Sequence, residues 1–305
     1  MKPAPVDYVA PRTVADAVAA LADGGDDAKV LAGGQSLLPT MAMRLARPSL
    51  LVDVGRIPEL RRLAIDGAAH PGAVRVGAGI RHVELERGAH VPGALGALLR
   101  TAAGHIGHVP IRTRGTFGGS LAHADPAAEW PLVALAADAT VHATGPAGDR
   151  AIPVGAFFET VFTTALAPDE LLVAVDLPVP APTARSGFAE VSRRAGDFAL
   201  VACAVLVDVA GDVGGSVRRA RVALGGVADR PVRCAAAEDA LVGRALGAGV
   251  VEAAGTAAAA AVESRGDLHA GPDLRRSMVA AVVRRALLAA RDTPVGTAGP
   301  VGVPA

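Results

Sequence analysis

The sequence is short of cysteine and of aromatic side chains, and each shortage argues against a kind of protein. Its 305 residues include only two cysteines, so a disulfide framework is not expected. An iron–sulfur cluster normally takes four thiolates, and this chain alone therefore cannot hold one. Aromatic residues make up 3% of the chain although 51% of it is hydrophobic. We expect closely packed cores of small side chains, mainly alanine and valine.

Net charge and long apolar runs are also missing. Lys and Arg total 30, as do Asp and Glu, and the arginine pairs are scattered along the chain, which argues against a nucleic-acid partner. No apolar run is long and charge-free enough to span a bilayer, and the opening residues MKPAPVDYVAPRT do not form a secretory signal. We therefore expect a cytoplasmic protein without a membrane span.

Three histidines near the middle of the chain, His105, His108 and His123, raise the question of zinc. Their spacing follows no zinc-ligand pattern. The sequence therefore predicts no metal site.

The stretch at 112–130, RTRGTFGGSLAHADPAAEW, concentrates the polar chemistry of the chain. Gly118 and Gly119 lack a Cβ, so their amides can turn toward an anion while the backbone adopts positive φ. Thr116 and Ser120 add hydroxyl donors on either side. This loop-like stretch predicts a cradle for phosphate groups, and the alternative is a tight turn between packed segments.

Another glycine pair occurs earlier in the chain, at 29–36, where KVLAGGQS runs from a short apolar strand into Gly33, Gly34 and a hydroxyl. Two cradles of the same kind indicate one extended ligand, and a diphosphate fits their chemistry. A third glycine-rich stretch, VRVGAG at 74–79, lacks the dinucleotide-binding fingerprint because the third glycine would fall at His82. There the sequence predicts only a strand-to-helix turn.

Hydrophobic periodicity and capping residues predict an α+β fold with a mixed first half and a smaller second half. The first half includes a βαβ-like unit with a glycine pair at the carboxyl end of a strand. Its predicted helices are 14–22, 37–45, 93–103 and 131–137, and its strands are 29–31, 50–54, 74–79, 139–142 and 171–177. After a proline-rich linker at 178–187, the second half has a three-stranded antiparallel meander at 188–193, 200–209 and 217–224, then helices at 234–242, 250–264 and 272–291.

Six segments, in order along the chain, carry a resemblance to a known family. They are AGGQS at 32–36, LLPTMAMRLARPSLLVDVGRIPEL at 37–60, IRTRGTFGGSLAHADPAAEWP at 111–131, DELLVAVDLP at 169–178, SRRAGDFALV at 192–201 and LGGVADRPVR at 224–233. In these segments the sequence resembles the FAD-binding medium subunits of molybdenum hydroxylases, typified by carbon monoxide dehydrogenase and by the flavin domain of xanthine dehydrogenase. The resemblance covers nearly the whole chain.

The resemblance implies a division into domains. Residues 1–178 would form a two-subdomain FAD-binding domain of the para-cresol methylhydroxylase type. Residues 184–292 would form a small domain of three-stranded antiparallel sheet plus helices, like the carboxy-terminal domain of the carbon monoxide dehydrogenase flavoprotein. Residues 293–305 are expected to be a disordered tail or to lie on a partner.

The resemblance also implies which residues bind FAD, with the diphosphate between the two glycine segments and backbone N–H groups as the main donors. The implied cofactor residues are Ala32, Gly33, Gly34, Gln35, Ser36, Leu37, Ala103, Thr116, Gly118, Gly119, Ser120, His123, Asp125, Glu129 and Leu172. Helix capping is the alternative role for Asp125 and Glu129, and core packing is the alternative for Leu172. Ala189 stands where xanthine dehydrogenase has a lysine, which leaves the cationic contact to the flavin ring open.

By the same resemblance, the chain is an electron-transfer subunit and contains no catalytic acid or base. Substrate would be oxidised at a molybdenum cofactor on a large partner subunit, and electrons would cross two 2Fe–2S clusters on a small subunit to the FAD of this chain. An external acceptor would then be reduced, within a dimer of heterotrimers. The substrate (carbon monoxide, an aldehyde, an N-heterocycle or an acyl thioester) and the acceptor (NAD, quinone or oxygen) stay open.

Two other functions remain alternatives. One is a self-sufficient FAD oxidoreductase, against which the segments at 192–201 and 224–233 argue. The other is a non-redox scaffold that has lost FAD, against which the two glycine pairs argue.

Overall fold

A computed structural model describes residues 2–65, 72–88, 91–211, 215–263 and 266–293. The strands are β1 (Asp7–Val9), β2 (Ala28–Leu31), β3 (Leu50–Asp53), β4 (Leu63–Ile65), β5 (Ala73–Gly77), β6 (Thr140–Gly145), β7 (Gly148–Pro153), β8 (Phe158–Thr160), β9 (Thr163–Thr164), β10 (Leu171–Pro178), β11 (Ala184–Ser192), β12 (Ala199–Val209), β13 (Val217–Gly225) and β14 (Val232–Arg233). The helices are α1 (Val14–Gly24), α2 (Leu37–Ala42), α3 (His82–Glu86), α4 (Gly93–His105), α5 (Val109–Arg112), α6 (Phe117–His123), α7 (Glu129–Ala136), α8 (Ala235–Leu241), α9 (Ala248–Ala261) and α10 (Pro272–Asp292). The tail expected at 293–305 lies, beyond Thr293, outside the described residues.

The chain divides into two compact units, each assembled from separate stretches of sequence. The first unit contains Met1–Val83, His108–Ala124 and Asp138–Leu177. The second unit contains Glu84–Gly107, Asp125–Ala137 and Pro178–Ala305. Both glycine pairs therefore belong to the first unit.

A three-stranded parallel sheet, in the order β1-β3-β2, carries the first glycine pair. Helix α1 precedes β2 and begins where Thr13 Oγ1 accepts a hydrogen bond from the Asp16 N–H at 3.1 Å, as an N-cap does. Helix α2 links β2 to β3, so the predicted βαβ-like unit is confirmed. The helix ends at Ala42 rather than at the predicted residue 45. Arg44 has a φ of 59°, and a right-handed helix cannot continue through a residue with that backbone angle.

The first unit also contains a five-stranded sheet in the order β4-β5-β10-β6-β7. Strands β4 and β5 pair antiparallel, as do β6 and β10, and β6 and β7. Val76, Val141 and Val175 are fully buried in it, because β-branched side chains pack well on a pleated surface. The strands predicted near 74–79, 139–142 and 171–177 are confirmed as β5, β6 and β10.

The second unit is built on a four-stranded antiparallel sheet in the order β11-β12-β13-β14. The three-stranded prediction is therefore one strand short. The missing strand, β14, is two residues long, and alternation cannot be detected over so short a stretch. The predicted linker is also too long, since β11 already begins at Ala184.

Both faces of β12 are buried, which explains its unbroken apolar sequence, ALVACAVLVDV. On one face, Val201 and Val205 pack into a hydrophobic core with Val279, Val283 and Leu287 of α10. Helices α4 and α7 also pack against this sheet. None of the helices within the described ranges combines the length and apolar character that a membrane crossing requires.

Candidate cofactor site

The first glycine segment, residues 32–37, follows β2 and leads into α2. Gly34 has a φ of 71°, in the left-handed region that favours glycine. The side-chain amide of Gln35 donates to the Gly33 carbonyl at 3.1 Å. Within the part of the chain that the structure describes, the backbone N–H groups of Gly34, Gln35 and Ser36 have no hydrogen-bond acceptor. Consecutive unused donors at the carboxyl end of a strand suit an anion.

The second glycine segment, residues 114–123, consists mainly of the short helix α6 and is not a loop. Thr116 is its N-cap, and the Thr116 Oγ1 accepts a hydrogen bond from the Gly119 N–H at 3.1 Å. The Gly118 N–H donates to the Ala78 carbonyl at 2.9 Å. The positive φ predicted for Gly118 and Gly119 is therefore wrong, and both amides donate inside the chain instead of facing a ligand. A threonine three residues before a glycine amide is an N-cap signal, which outweighed the loop interpretation.

Both segments need glycine because they touch each other. A Cβ on Gly33 would overlap the Arg114 carbonyl and lie 2.6 Å from the Gly115 Cα. A Cβ on Gly119 would lie 3.3 Å from the Ala32 Cβ. Two stretches that are some 80 residues apart in sequence, as the numbering shows, thus form one surface of the first unit.

Two further predicted residues of the first unit have different surroundings. The His123 ring stacks on Phe162, with ring centroids 4.8 Å apart, and the Phe162 side chain is more than half exposed. Leu172 in β10 is only 4% exposed, so it packs in the core, which was the alternative role named for it. Ser120 lies one turn before His123 in α6.

The other predicted residues, Ala103, Asp125 and Glu129, belong to the second unit. Ala103 is fully buried in α4. The Asp125 Oδ1 accepts a hydrogen bond from the Ala127 N–H at 2.9 Å, which closes a turn ahead of α7. Neither carboxylate caps α7, because its N-cap is Ala128 and no side chain bonds there. Glu129 lies in the first turn of α7, where the helix dipole favours a negative charge.

Glu129 is buried and belongs to a group of acidic and imidazole side chains in the second unit. Burial, which is the largest cause, raises the pKa of Glu129 to about 8, and the nearby Glu190 adds to the increase. The His105 Nδ1 lies 3.2 Å from the Glu190 Oε1, and this hydrogen bond raises the pKa of His105. The Glu190 side chain is 4% exposed, and its Oε2 is buried without a hydrogen-bond partner.

Glu190 was not among the predicted residues, although strand alternation could have indicated it. Phe188 and Glu190 are two residues apart on β11, and both contact His105 of α4, the former at 5.1 Å between ring centroids. Ala189, between them, packs against the hydrophobic core on the opposite face of the sheet. Position 189 therefore serves the core of the second unit.

No group of three or more His, Cys, Asp or Glu side chains in the described ranges is arranged to hold a metal ion. The two cysteines, Cys203 and Cys234, are buried and free. The first glycine segment nevertheless fits a diphosphate-containing cofactor, because its three consecutive amide donors are unused within the described residues.

The chain matches two protein families in succession. Residues 4–180 match the FAD binding domain in molybdopterin dehydrogenase, and residues 186–290 match the CO dehydrogenase flavoprotein C-terminal domain. The 6-hydroxypseudooxynicotine dehydrogenase complex subunit alpha of Paenarthrobacter nicotinovorans is 39% identical over 94% of this chain and 95% of its own length. The nicotine 6-hydroxylase medium subunit of the same organism is 37% identical over 95% and 99% of the two chains.

A solved structure agrees with these matches. It is carbon monoxide dehydrogenase from Hydrogenophaga pseudoflava, in a form that lacks the Mo-pyranopterin moiety of the molybdenum cofactor. The likeness has a TM-score of 0.88 at 39% identity and covers 95% of this chain and 98% of that one. The chain therefore belongs to the FAD-binding medium subunits of the molybdenum hydroxylase family, together with the carbon monoxide dehydrogenase medium chain and the FAD-binding subunit of xanthine dehydrogenase.

Proposed function

We propose that this oxidoreductase subunit carries FAD as an electron-transfer station between iron–sulfur clusters of one partner subunit and an external acceptor. The observation that carries the proposal is the run of three unused amide donors in the first glycine segment, where that segment is in close contact with the second. FAD supplies the redox chemistry when bound, and the protein supplies its binding, orientation and electrostatic surroundings.

The chain's own residues divide these tasks. The N–H groups of Gly34, Gln35 and Ser36 are proposed to donate to the diphosphate, and the hydroxyl of Ser120 to add a further donor. Gly118 and Gly119 are proposed to contribute by allowing α6 to pack closely against Ala78 and Ala32, because their amides already donate inside the chain. The remaining predicted residues of the first unit, Ala32, Gly33, Leu37, Thr116, His123 and Leu172, are proposed to complete the surroundings of FAD.

Ala103, Asp125 and Glu129 of the second unit are kept as cofactor residues on the resemblance alone. Residues 1–178 are proposed as the FAD-binding domain, of the para-cresol methylhydroxylase type, and 184–292 as the carboxy-terminal domain. Similar proteins are named as subunits of complexes, which supports partner subunits for this chain. A small iron–sulfur partner and a large molybdenum partner, in a dimer of heterotrimers, are proposed on the resemblance. Such an assembly is proposed to work in the cytoplasm.

The visible absorption spectrum of the purified chain tests the proposal, together with chromatography of any chromophore released by acid. Oxidised-flavin bands and a released compound that co-elutes with FAD are expected. A colourless chain that also takes up no added FAD would overturn the proposal and favour the scaffold alternative.

Purification of the untagged complex distinguishes the subunit proposal from the alternative of a self-sufficient enzyme. Two further chains, one with iron–sulfur absorption and one with bound molybdenum, are expected to co-purify. A lone chain with full substrate-oxidising activity would contradict the subunit proposal.

A further inference from the structure

The turn after β5, residues 77–82, has no role in the function proposed so far, although it lies directly against the second glycine segment. Three backbone hydrogen bonds join the two stretches. The His82 N–H donates to the Gly115 carbonyl at 3.0 Å, the Phe117 N–H to the Ile80 carbonyl at 2.8 Å, and the Gly118 N–H to the Ala78 carbonyl at 2.9 Å. These three backbone hydrogen bonds hold the start of α6 against the turn.

The turn is itself held in place by β10 and by the 3-10 turn at Pro58–Arg61, both in the first unit. The Ala78 N–H donates to the Val173 carbonyl of β10 at 3.0 Å, and the Gly79 N–H donates to the Leu60 carbonyl at 2.7 Å. Gly77 has no space for a side chain, because a Cβ there would overlap the Leu60 carbonyl and lie 2.8 Å from the Arg62 carbonyl oxygen. Because the turn at residues 77–82 is fixed by these contacts, it can determine the position of the start of α6, which packs against it.

The side chain of His82 is the part of this support that touches a glycine segment. It is 5% exposed, and its ring lies against Gly115: a Cβ at that position would contact the ring Nε2 and lie 2.7 Å from the Cδ2. On another side, the Gly115 Cα lies 2.6 Å from where a Cβ on Gly33 would be. Gly115 is thus packed against both the imidazole and the first glycine segment.

We propose that His82 is a positioning residue for FAD binding, which acts by packing its ring against Gly115 and so fixes the two glycine segments relative to each other. The inference rests on the proposed cofactor site. Packed interiors transmit small changes in volume, so a mismatch at 82 and 115 displaces the surfaces that bind the diphosphate. Burial and the nearby Arg112 lower the pKa of His82 to about 4, so the ring packs as a neutral group at neutral pH.

A double-mutant cycle on the full chain tests this packing. FAD is removed, and its dissociation constant is measured by quenching of flavin fluorescence for wild type, Gly115→Ala, His82→Ala and the double variant. Overpacking in Gly115→Ala is expected to weaken FAD binding about tenfold or more. Removal of the ring in the same chain makes room for the new methyl group, so the double variant is expected to regain most of the lost affinity.

A second cycle shows whether the rescue is specific. A Cβ on Gly118 would lie 2.7 Å from the Ala78 Cα and not against the imidazole, so His82→Ala is expected to give no rescue of Gly118→Ala. Thermal melting of the flavin-free chains checks that each variant folds, and His82→Val replaces His82→Ala if the smaller residue unfolds the chain.

The outcomes are distinct for the two claims. If wild type binds FAD but the two substitutions change the binding free energy additively, the role of His82 is overturned and the cofactor site stands. A wild-type chain that binds no FAD would overturn the cofactor site and the role of His82 with it.

Discussion

The glycines of the two segments meet more than one physical requirement. Gly34 needs the left-handed φ of 71° that glycine adopts most readily. Gly33 and Gly118 have ordinary backbone angles, but a Cβ on either would overlap neighbouring backbone. Gly119 has slightly more space, because its nearest neighbours are the side chains of Thr116 and Ala32. A side chain at 119 is therefore the substitution that the fold can accommodate while the surface of the site is filled.

At the residue scale, Gly119→Val is expected to abolish FAD binding and leave the chain folded. A β-branched side chain would occupy the space between the two segments, where the position of a Cβ lies 2.7 Å from the Thr116 Oγ1 and 3.3 Å from the Ala32 Cβ. The measurement is the flavin-to-protein ratio of the purified chain, with circular dichroism to verify folding. Gly155→Val is the matched control, because Gly155 is also in the first unit and has nothing within 4 Å of its Cβ position. Unchanged flavin content in the Gly119 variant would remove α6 from the site.

A second expectation at this scale concerns the buried carboxyl of Glu129. Its folded-state pKa, about 8, lies above the ordinary value of 4.5, so the folded chain retains a proton that the unfolded chain releases. The unfolding free energy therefore falls as pH rises from about 4.5 to about 8. The raised pKa of His105 also makes the unfolding free energy fall as pH rises, because the imidazole loses the proton that strengthens its hydrogen bond with Glu190.

Glu129→Gln is expected to remove the Glu129 part of this pH dependence. In the flavin-free chain the variant should match wild type near pH 5 and exceed its unfolding free energy by about 4 kcal/mol near pH 8.5, since a neutral amide has no charge to desolvate. Urea unfolding at the two pH values gives the measurement, and the exposed Glu263→Gln serves as control. Equal effects of Glu129→Gln at both pH values would contradict a raised pKa.

Among the elements, α10 is anchored by a buried arginine in its first turn. Arg275 is 4% exposed, and its guanidinium donates to the carbonyls of Leu200 and Gly226 and to the Asp267 carboxylate. The helix is thereby tied to the ends of β12 and β13. Arg276, the next residue, is half exposed and pairs only with Asp273 of the same helix among the ion pairs of the described residues.

Arg275→Met is expected to lower the unfolding free energy by about 3 kcal/mol, because two partly buried carbonyl groups and the Asp267 carboxylate lose their donor. Arg276→Met is the matched control and should change the unfolding free energy by less than about 0.5 kcal/mol, as is usual for a surface pair. Denaturant unfolding of both variants gives the comparison. Similar losses in the two would mean that the carbonyls find other donors.

The sequence predicted those elements whose signals are local. Thr13 marks the start of α1, and the βαβ-like unit, the β11–β13 meander and α10 follow from periodicity and capping. It missed α6 because two glycines suggested a turn, while the threonine cap that stabilises the helix was interpreted as a ligand donor. It missed β14 because two residues show no period.

The candidate site was predictable in composition but not in arrangement. Both glycine pairs are visible in the sequence, whereas their contact depends on folding of the first unit. The sequence did not predict the contacts of Glu190 with His105 and of His82 with Gly115 for a related reason. A single Glu in a strand or a single His after a Gly-x-Gly turn indicates nothing until the residues across from it, His105 and Gly115, are known.

For the whole molecule, the glycine segments couple cofactor binding to stability. FAD that binds the folded chain alone adds RT ln(1 + [FAD]/Kd) to the unfolding free energy, about 2.7 kcal/mol at 100 times the dissociation constant. For a chain of this size we expect the melting temperature of the flavin-free protein to rise by about 5 °C at that concentration. Calorimetry with and without FAD measures the rise, and AMP at the same concentration tests whether the whole dinucleotide is needed. The Gly119→Val chain should melt at one temperature in all three conditions, because its site is filled; a rise equal to that of wild type would show that FAD stabilises the chain through some other surface.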